Sequence, residues 1–261
     1  MKVGLLLAAV VSIVGAPPLF GQALPAGSIA GMALGSMWSV VGNITPLEKG
    51  NVIYATGASQ GFNVLEHGPF SITPYVAAGA TLDTAGHEWN NQIIGSLGIR
   101  LNATVPHGVV SVGTAYTYDV RLRSHMTAKG PGFFVQDWFG WQLPAKYKRY
   151  PGSTWATYGT SSPIEGNNKL LYAFVQQGLV TCKCNGYPLV PFLEVTTARD
   201  SQHLDWNNFI RPAAGAKIVM PHGVELGSSF IHEMRRISNT QANGFAMFLK
   251  MDADWILAGR H

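Results

Sequence analysis

Three adjacent pairs in this sequence have side chains of the type used in acid–base or nucleophilic chemistry: His87-Glu88, Ser124-His125 and His232-Glu233. Acyl transfer needs a nucleophile hydrogen-bonded to a base, and neighbours along a chain do not readily supply that bond. Asp83 lies close enough in sequence to His87 and Glu88 to suggest a metal-ligand cluster. The region recurs, which tests the idea. Thr84-Ala85-Gly86-His87-Glu88-Trp89-Asn90-Asn91-Gln92-Ile93 returns 117 residues later as Ser201-Gln202-His203-Leu204-Asp205-Trp206-Asn207-Asn208-Phe209-Ile210, with Asp83 and Asp200 just before each copy. Leu204 replaces His87 in the second copy, and His232 falls where the first copy has Tyr118. Neither histidine belongs to a shared plan, so no catalytic residue, metal site or cofactor is expected. Recognition chemistry survives the comparison. Trp89 and Trp206 offer stacking faces beside amides and carboxylates, which makes Asp83, Trp89, Asn90, Asn91, Asp200, Trp206, Asn207 and Asn208 candidate sugar contacts. The alternative role for the two Trp is anchoring a loop at a membrane interface.

The duplication extends well beyond these loops. Gly159, Pro163, Glu165 and Asn168 repeat Gly42, Pro46, Glu48 and Asn51 at the same separation of 117. Pro221-His222-Gly223-Val224 repeats Pro106-His107-Gly108-Val109 at 115, and the Pro-His-Gly setting of both histidines is explained by turn chemistry. One barrel-forming domain at 37–256 is expected, with repeats at 37–143 and 155–256 and a linker at 144–154. Cys182 and Cys184, one residue apart, are too few for a zinc site and read as unpaired residues near a turn.

Around this domain the ends have their own signatures. Lys2, an apolar core at 3–14 and the small-residue stretch Gly21-Gln22-Ala23 predict an export signal over 1–23, cleaved near Ala23. A Gly-rich flexible lead-in is expected at 24–36 and a tail at 257–261. A formal charge of +4 is too small to argue for nucleic acid as a partner. No run after residue 23 reaches the roughly 18 apolar residues of a spanning helix, so any membrane span is made of strands.

Period-two alternation supplies those strands. Ile72, Pro74, Val76, Ala78, Ala80 and Leu82 share one face against Ser71, Thr73, Gly79, Thr81 and Asp83. Phe245, Met247, Leu249, Met251, Ala253 and Trp255 oppose Lys250, Asp252 and Asp254. Short and long connections alternate, with 121–131 among the long ones. Trp38, Trp141, Trp155 and Trp255 sit near strand ends, where an aromatic girdle is expected. Charged residues are only 12% of a chain holding 30 Gly, which suits an outer surface that does not meet water. The expected fold is an all-β, antiparallel transmembrane β-barrel of about twelve strands, ten as a fallback, built from two tandem six-strand repeats.

The Asp…Trp-Asn-Asn loop, the Pro-His-Gly-Val turn and the aromatic end of each unit resemble the C-terminal barrel regions of bacteriophage-adsorption and exopolysaccharide-export outer-membrane proteins. The resemblance implies a stand-alone barrel without the usual helical-repeat periplasmic domain, coupled to polymer synthesis through a separate partner. The polar strand face places Arg100, Asp119, Arg211, Lys217, Glu225, Glu233, Lys250, Asp252 and Asp254 in the lumen. The expected function is a narrow channel or surface scaffold in the bacterial outer membrane, associated with polysaccharide export. The alternatives are a lipid-modifying outer-membrane enzyme and a secreted soluble β-rich binding protein. Expected partners are outer-membrane lipids, the barrel-assembly machinery, and polysaccharide or a polysaccharide-synthesis complex.

Overall fold

A computed structural model describes residues 33–142, 150–166 and 168–257. The predicted signal, most of the lead-in and most of the linker lie outside the described residues. The strands are β1 (Ala33–Gly42), β2 (Ile53–Phe62), β3 (Leu65–His67), β4 (Phe70–Asp83), β5 (Gln92–Val105), β6 (Gly108–Arg121) and β7 (Thr127–Gln142). They continue as β8 (Pro151–Thr160), β9 (Lys169–Gly178), β10 (Cys182–Cys184), β11 (Tyr187–Asp200), β12 (Phe209–Met220), β13 (Val224–Arg235) and β14 (Gln241–Leu257). Short β3 and β10 pair only with β4 and β11, extending β2 and β9 beyond a break. The other twelve strands form one antiparallel cylinder, closed where β1 pairs with β14 over ten residues from Ala33–Leu257 to Gly42–Phe248.

The expected boundaries shift at three places. Residues 33–36, assigned to the lead-in, belong to β1, because closure against β14 needs their backbone groups and the Ser36 hydroxyl meets that of Ser59 at 3.1 Å. Residues 151–154, assigned to the linker, open β8, and Pro151 takes the first-residue place that a strand allows proline. Residue 257 ends β14. The connection expected at 121–131 is only 122–126, since Pro131 lies within β7 opposite Tyr116.

The apolar faces point outward. Leu97, Ile99 and Leu101 on β5 are 64%, 48% and 48% exposed, whereas Arg100 and Asn102 between and beside them are buried in the lumen. Leu193 and Val195 on β11, and Phe245, Met247 and Leu249 on β14, are likewise exposed. A water-soluble barrel would reverse this arrangement, because contiguous apolar surface of that extent is costly in water. Each 14-residue strand such as β5 spans about 33 Å along the barrel axis at a tilt of about 45°, enough for an apolar band of about 25 Å. The barrel therefore crosses a bilayer. Among the described residues no helix is long and apolar enough to do so.

The expected girdle holds only in part. Trp141 stays on the outer face and donates its indole N–H to Gln177 Oε1 at 3.0 Å. Trp38 and Trp155 instead point inward and are 8% and 1% exposed. Trp38 shares the inner side of β1 with Ser36 and Val40, and its indole fits there because it lies over Gly57, where any Cβ would collide with the ring. The side chain of Trp255 lies outside the described residues.

Leu97→Arg, near the middle of β5, is expected to destabilise the barrel by about 2–4 kcal/mol in a bilayer. Denaturant unfolding from lipid vesicles measures this. A cost near zero would place that face against water or protein.

Candidate functional site

The sites of interest begin at the long-loop end of the barrel, where β4 and β11 end in Asp83 and Asp200. Each aspartate is the hub of its loop. Asp83 accepts hydrogen bonds from the backbone N–H groups of Gly86 (2.5 Å) and His87 (3.0 Å), and from the amides of Asn90 (3.1 Å), Asn91 (2.7 Å) and Asn51 (3.1 Å). Asp200 accepts from Leu204 N–H (3.0 Å) and from the amides of Asn207 (3.2 Å), Asn208 (2.7 Å) and Asn168 (2.9 Å). The amides of Asn91 and Asn208 also bridge to the carbonyls of His87 and Leu204, each at 2.8 Å. A tight turn requires a left-handed residue in both copies, Gly86 at φ 76° and His203 at φ 59°.

These loops lean over the mouth and meet. The rings of Trp89 and Trp206 stack with centroids 4.3 Å apart and planes 6° apart, and His87 stacks on the far face of Trp89 at 4.6 Å. Of the expected sugar-contact groups, the Asn amides are turned onto Asp83 and Asp200 and both faces of Trp89 are covered, so in this structure they clasp the loops. Glu48, Asp83 and His87 do gather with ligand atoms within 4.8 Å of one another. Asp83 nonetheless already accepts five hydrogen bonds, and Leu204 replaces the histidine in the other copy.

Two arginines tie the copies together reciprocally. Arg121, at the end of β6, pairs with Glu165 of the second copy at 3.2 Å; Arg235, at the end of β13, pairs with Glu48 of the first at 2.8 Å. In the sequence Glu48 and Glu165 stand only as marks of repetition; the recurrence of Arg121 as Arg235, 114 residues later, is the signal that could have pointed to their partners. Beneath them sit Asp119 and Glu233, both fully buried. Ser162 donates to Asp119, whereas Glu233 Oε1 accepts from Arg211 and Arg235, each at 3.1 Å. Arg211 also lies 3.7 Å over the Phe209 ring.

Farther down, the second copy carries another charged tier. Lys217 Nζ bonds both oxygens of Glu225 at 2.8 and 2.9 Å and Gln176 at 2.7 Å, and Gln176 donates to Glu194 at 2.7 Å. Lys250 pairs with Asp252 at 2.9 Å. Asp254 shares their strand face but is exposed. Arg100, on the wall of the first copy, is 5% exposed, with its guanidinium 5.2 Å from the Tyr75 ring centroid. Between the upper and lower tiers lies a cavity of about 520 Å³, bounded by Trp89 and Trp206 above and by Lys217, Glu225, Lys250 and Asp252 below.

The adjacent pairs weighed as nucleophile and base have other partners. Ser124 donates to Glu88, holding that carboxyl below the usual carboxylate range. The tie is thus present at neutral pH and is lost as pH falls through the lowered value. Asp205 accepts from Ser238 in the same way, at 3.0 Å. His125 is exposed with φ 58°, and His232 Nδ1 lies 2.6 Å from Asn243 Oδ1. Cys182 and Cys184 are exposed free thiols.

A closed, twelve-stranded antiparallel cylinder with an apolar outer face is an outer-membrane-type architecture. No protein-family model matches the chain, and no curated protein does. The resemblance to phage-adsorption and exopolysaccharide-export barrels therefore rests on short sequence motifs alone. Solved structures of similar form include an outer-membrane channel of Pseudomonas putida F1 at 8% identity and TM-score 0.45, covering 92% of this chain and 100% of that one. The β domain of a Bordetella autotransporter matches at 11% identity and TM-score 0.40, over 87% of this chain and 100% of that one. The Salmonella typhimurium protein LpxR matches at 8% identity and TM-score 0.37, over 83% of this chain and 99% of that one.

Asp200→Ala leaves several buried donors without an acceptor and is expected to cost about 2–3 kcal/mol. It should also red-shift tryptophan emission as the Trp89–Trp206 stack loosens. Chemical unfolding in detergent and fluorescence check both; an unchanged midpoint would remove the aspartate from its place as hub.

Proposed function

We propose that the chain is a narrow outer-membrane channel of a Gram-negative-type cell, non-enzymatic, with its long-loop mouth held shut in this state by the two copies' tryptophans. The cavity of about 520 Å³ between the mouth and the lower charged tier is the observation that carries this reading. A salt-bridged plug would fill that space. Twelve strands leave room for a small-solute path and no more, since wide aqueous channels take about 16–18. Acidic partners beside Lys217 and Arg211 offset the anion preference that the basic residues alone would give.

The surface-scaffold reading, with extracellular polysaccharide as its ligand, has less support. Its expected contact groups are committed to holding the loops, and the motif resemblance alone speaks for it. Ser124 donating to Glu88 rather than to an imidazole favours the non-enzymatic reading over the lipid-modifying one.

The test is single-channel recording in planar bilayers, after heat-modifiable migration and recovery in the outer-membrane fraction establish the folded barrel. The wild type is expected to show rare, small openings. Trp89→Ala with Trp206→Ala removes a stack of about 0.5–1.5 kcal/mol and should raise the open fraction several-fold. No current from either protein would sink the channel and leave the scaffold.

A further inference from the structure

The second copy serves as an internal reference for the first. On its inner wall Phe174, Gln176 and Glu194 project into the lumen and help line the large cavity. At positions 117 residues earlier stand Gly57, Ser59 and Ala77. Ser59 and Ala77 face each other across β2 and β4, as Gln176 and Glu194 do across β9 and β11. Trp38 fills the space over Gly57, and the volume released by the neighbouring Ser59 and Ala77 is continuous. It is a second cavity, of about 150 Å³, which shares Trp38 and Leu170 with the larger one as a common wall.

The remaining walls of this hollow have a definite chemistry. Trp38, Trp155, Phe134 and Tyr75 supply aromatic surface, and Arg100 supplies a guanidinium. Trp38 can lie back against the wall only because residue 57 has no Cβ. Arg100 stands where the second copy has Lys217, at the same separation of 117. That difference matters for recognition: a guanidinium presents a planar fork matched to a carboxylate, whereas an ammonium is a point charge. As to size, an apolar cavity of about 150 Å³ accommodates a benzene ring.

We propose that this hollow is a binding compartment for a small aromatic monocarboxylate. The ring lies against the indoles of Trp38 and Trp155, and the carboxylate is received by Arg100. The compartment opens from the lumen beside the main cavity, so its occupancy does not require the barrel to conduct.

The test uses the full chain folded in detergent, with sodium benzoate as probe, benzyl alcohol as its uncharged counterpart and acetate as the headgroup alone. Calorimetry and quenching of tryptophan emission both report binding. Benzoate is expected to bind saturably at one site, at least about tenfold more tightly than benzyl alcohol or acetate, as loss of a charge-assisted hydrogen bond implies. Ala77→Leu refills the hollow and should abolish binding; Arg100→Gln should weaken it about tenfold. No saturable benzoate signal, equal affinity for benzyl alcohol, or wild-type affinity in the Ala77→Leu protein each overturns the proposal. If Arg100→Gln does not give a heat-modifiable barrel, the benzoate-to-benzyl-alcohol ratio decides the role of the cation. Conductance recorded on the same preparations separates this outcome from failure of the channel reading.

Discussion

A peptide group in hydrocarbon has no water to bond, so a membrane sheet must leave no edge. In this chain the whole architecture depends on the pairing of β1 with β14, the two strands farthest apart in sequence. The requirement reaches into composition. Small residues at the start of β1 look like a loose lead-in, but they lie where the wall closes, with Ser36 against Ser59 inside the barrel. Once the cylinder is closed, its two faces have opposite tasks. The outer face presents bulky apolar side chains to lipid; the inner face must hold every polar group in a space with little room.

The inner face meets that demand with hydrogen bonds between neighbours in the wall and across the loops. Buried carboxylates are acceptable in such a place only when their oxygens are fully engaged. Buried Asp200 and half-buried Asp83 are engaged by loop amides and Glu233 by two arginines, whereas Asp119 takes a serine hydroxyl at one oxygen and leaves the other without a hydrogen-bond partner. The two copies keep the same loop hubs but differ in the lumen. One half of the wall carries Gln176 and Glu194 where the other is hollowed at Ser59 and Ala77. Function is thus divided: the symmetric parts hold the mouth, and the asymmetric parts decide what the interior can accept.

Strand alternation made the barrel readable before any coordinates, because period two with bulky residues on one side has few other solutions. The recurring Trp-Asn-Asn likewise identified the two loops, and the inward sign of residues such as Lys217 and Lys250 follows from the same alternation. Contacts between the copies were not readable. Nothing in the stretch around Trp89 announces that its partner is Trp206 on the opposite side of the cylinder. Trp38 and Trp155 depart from expectation for a related reason: tryptophan near a strand end usually marks the interface, but in register both fall on the inner face, one opposite Gly57 and the other opposite Phe174. The smaller cavity depends on which small residues are adjacent in register, and a linear sequence does not display register.

The paired bridges between Arg121 and Glu165, and between Arg235 and Glu48, have the form of an isologous contact, in which surface i of one subunit meets j of the other and j meets i. Cut at the connection between β7 and β8, the barrel becomes two six-strand half-cylinders related as protomers of a twofold dimer. Identical protomers would be obliged to change in step, so that any residue favourable to one side of the lumen would appear on both. Joining them in one chain removes that obligation. A hollow can then form on one wall while the opposite wall keeps its ions, which a strictly symmetric assembly could never do.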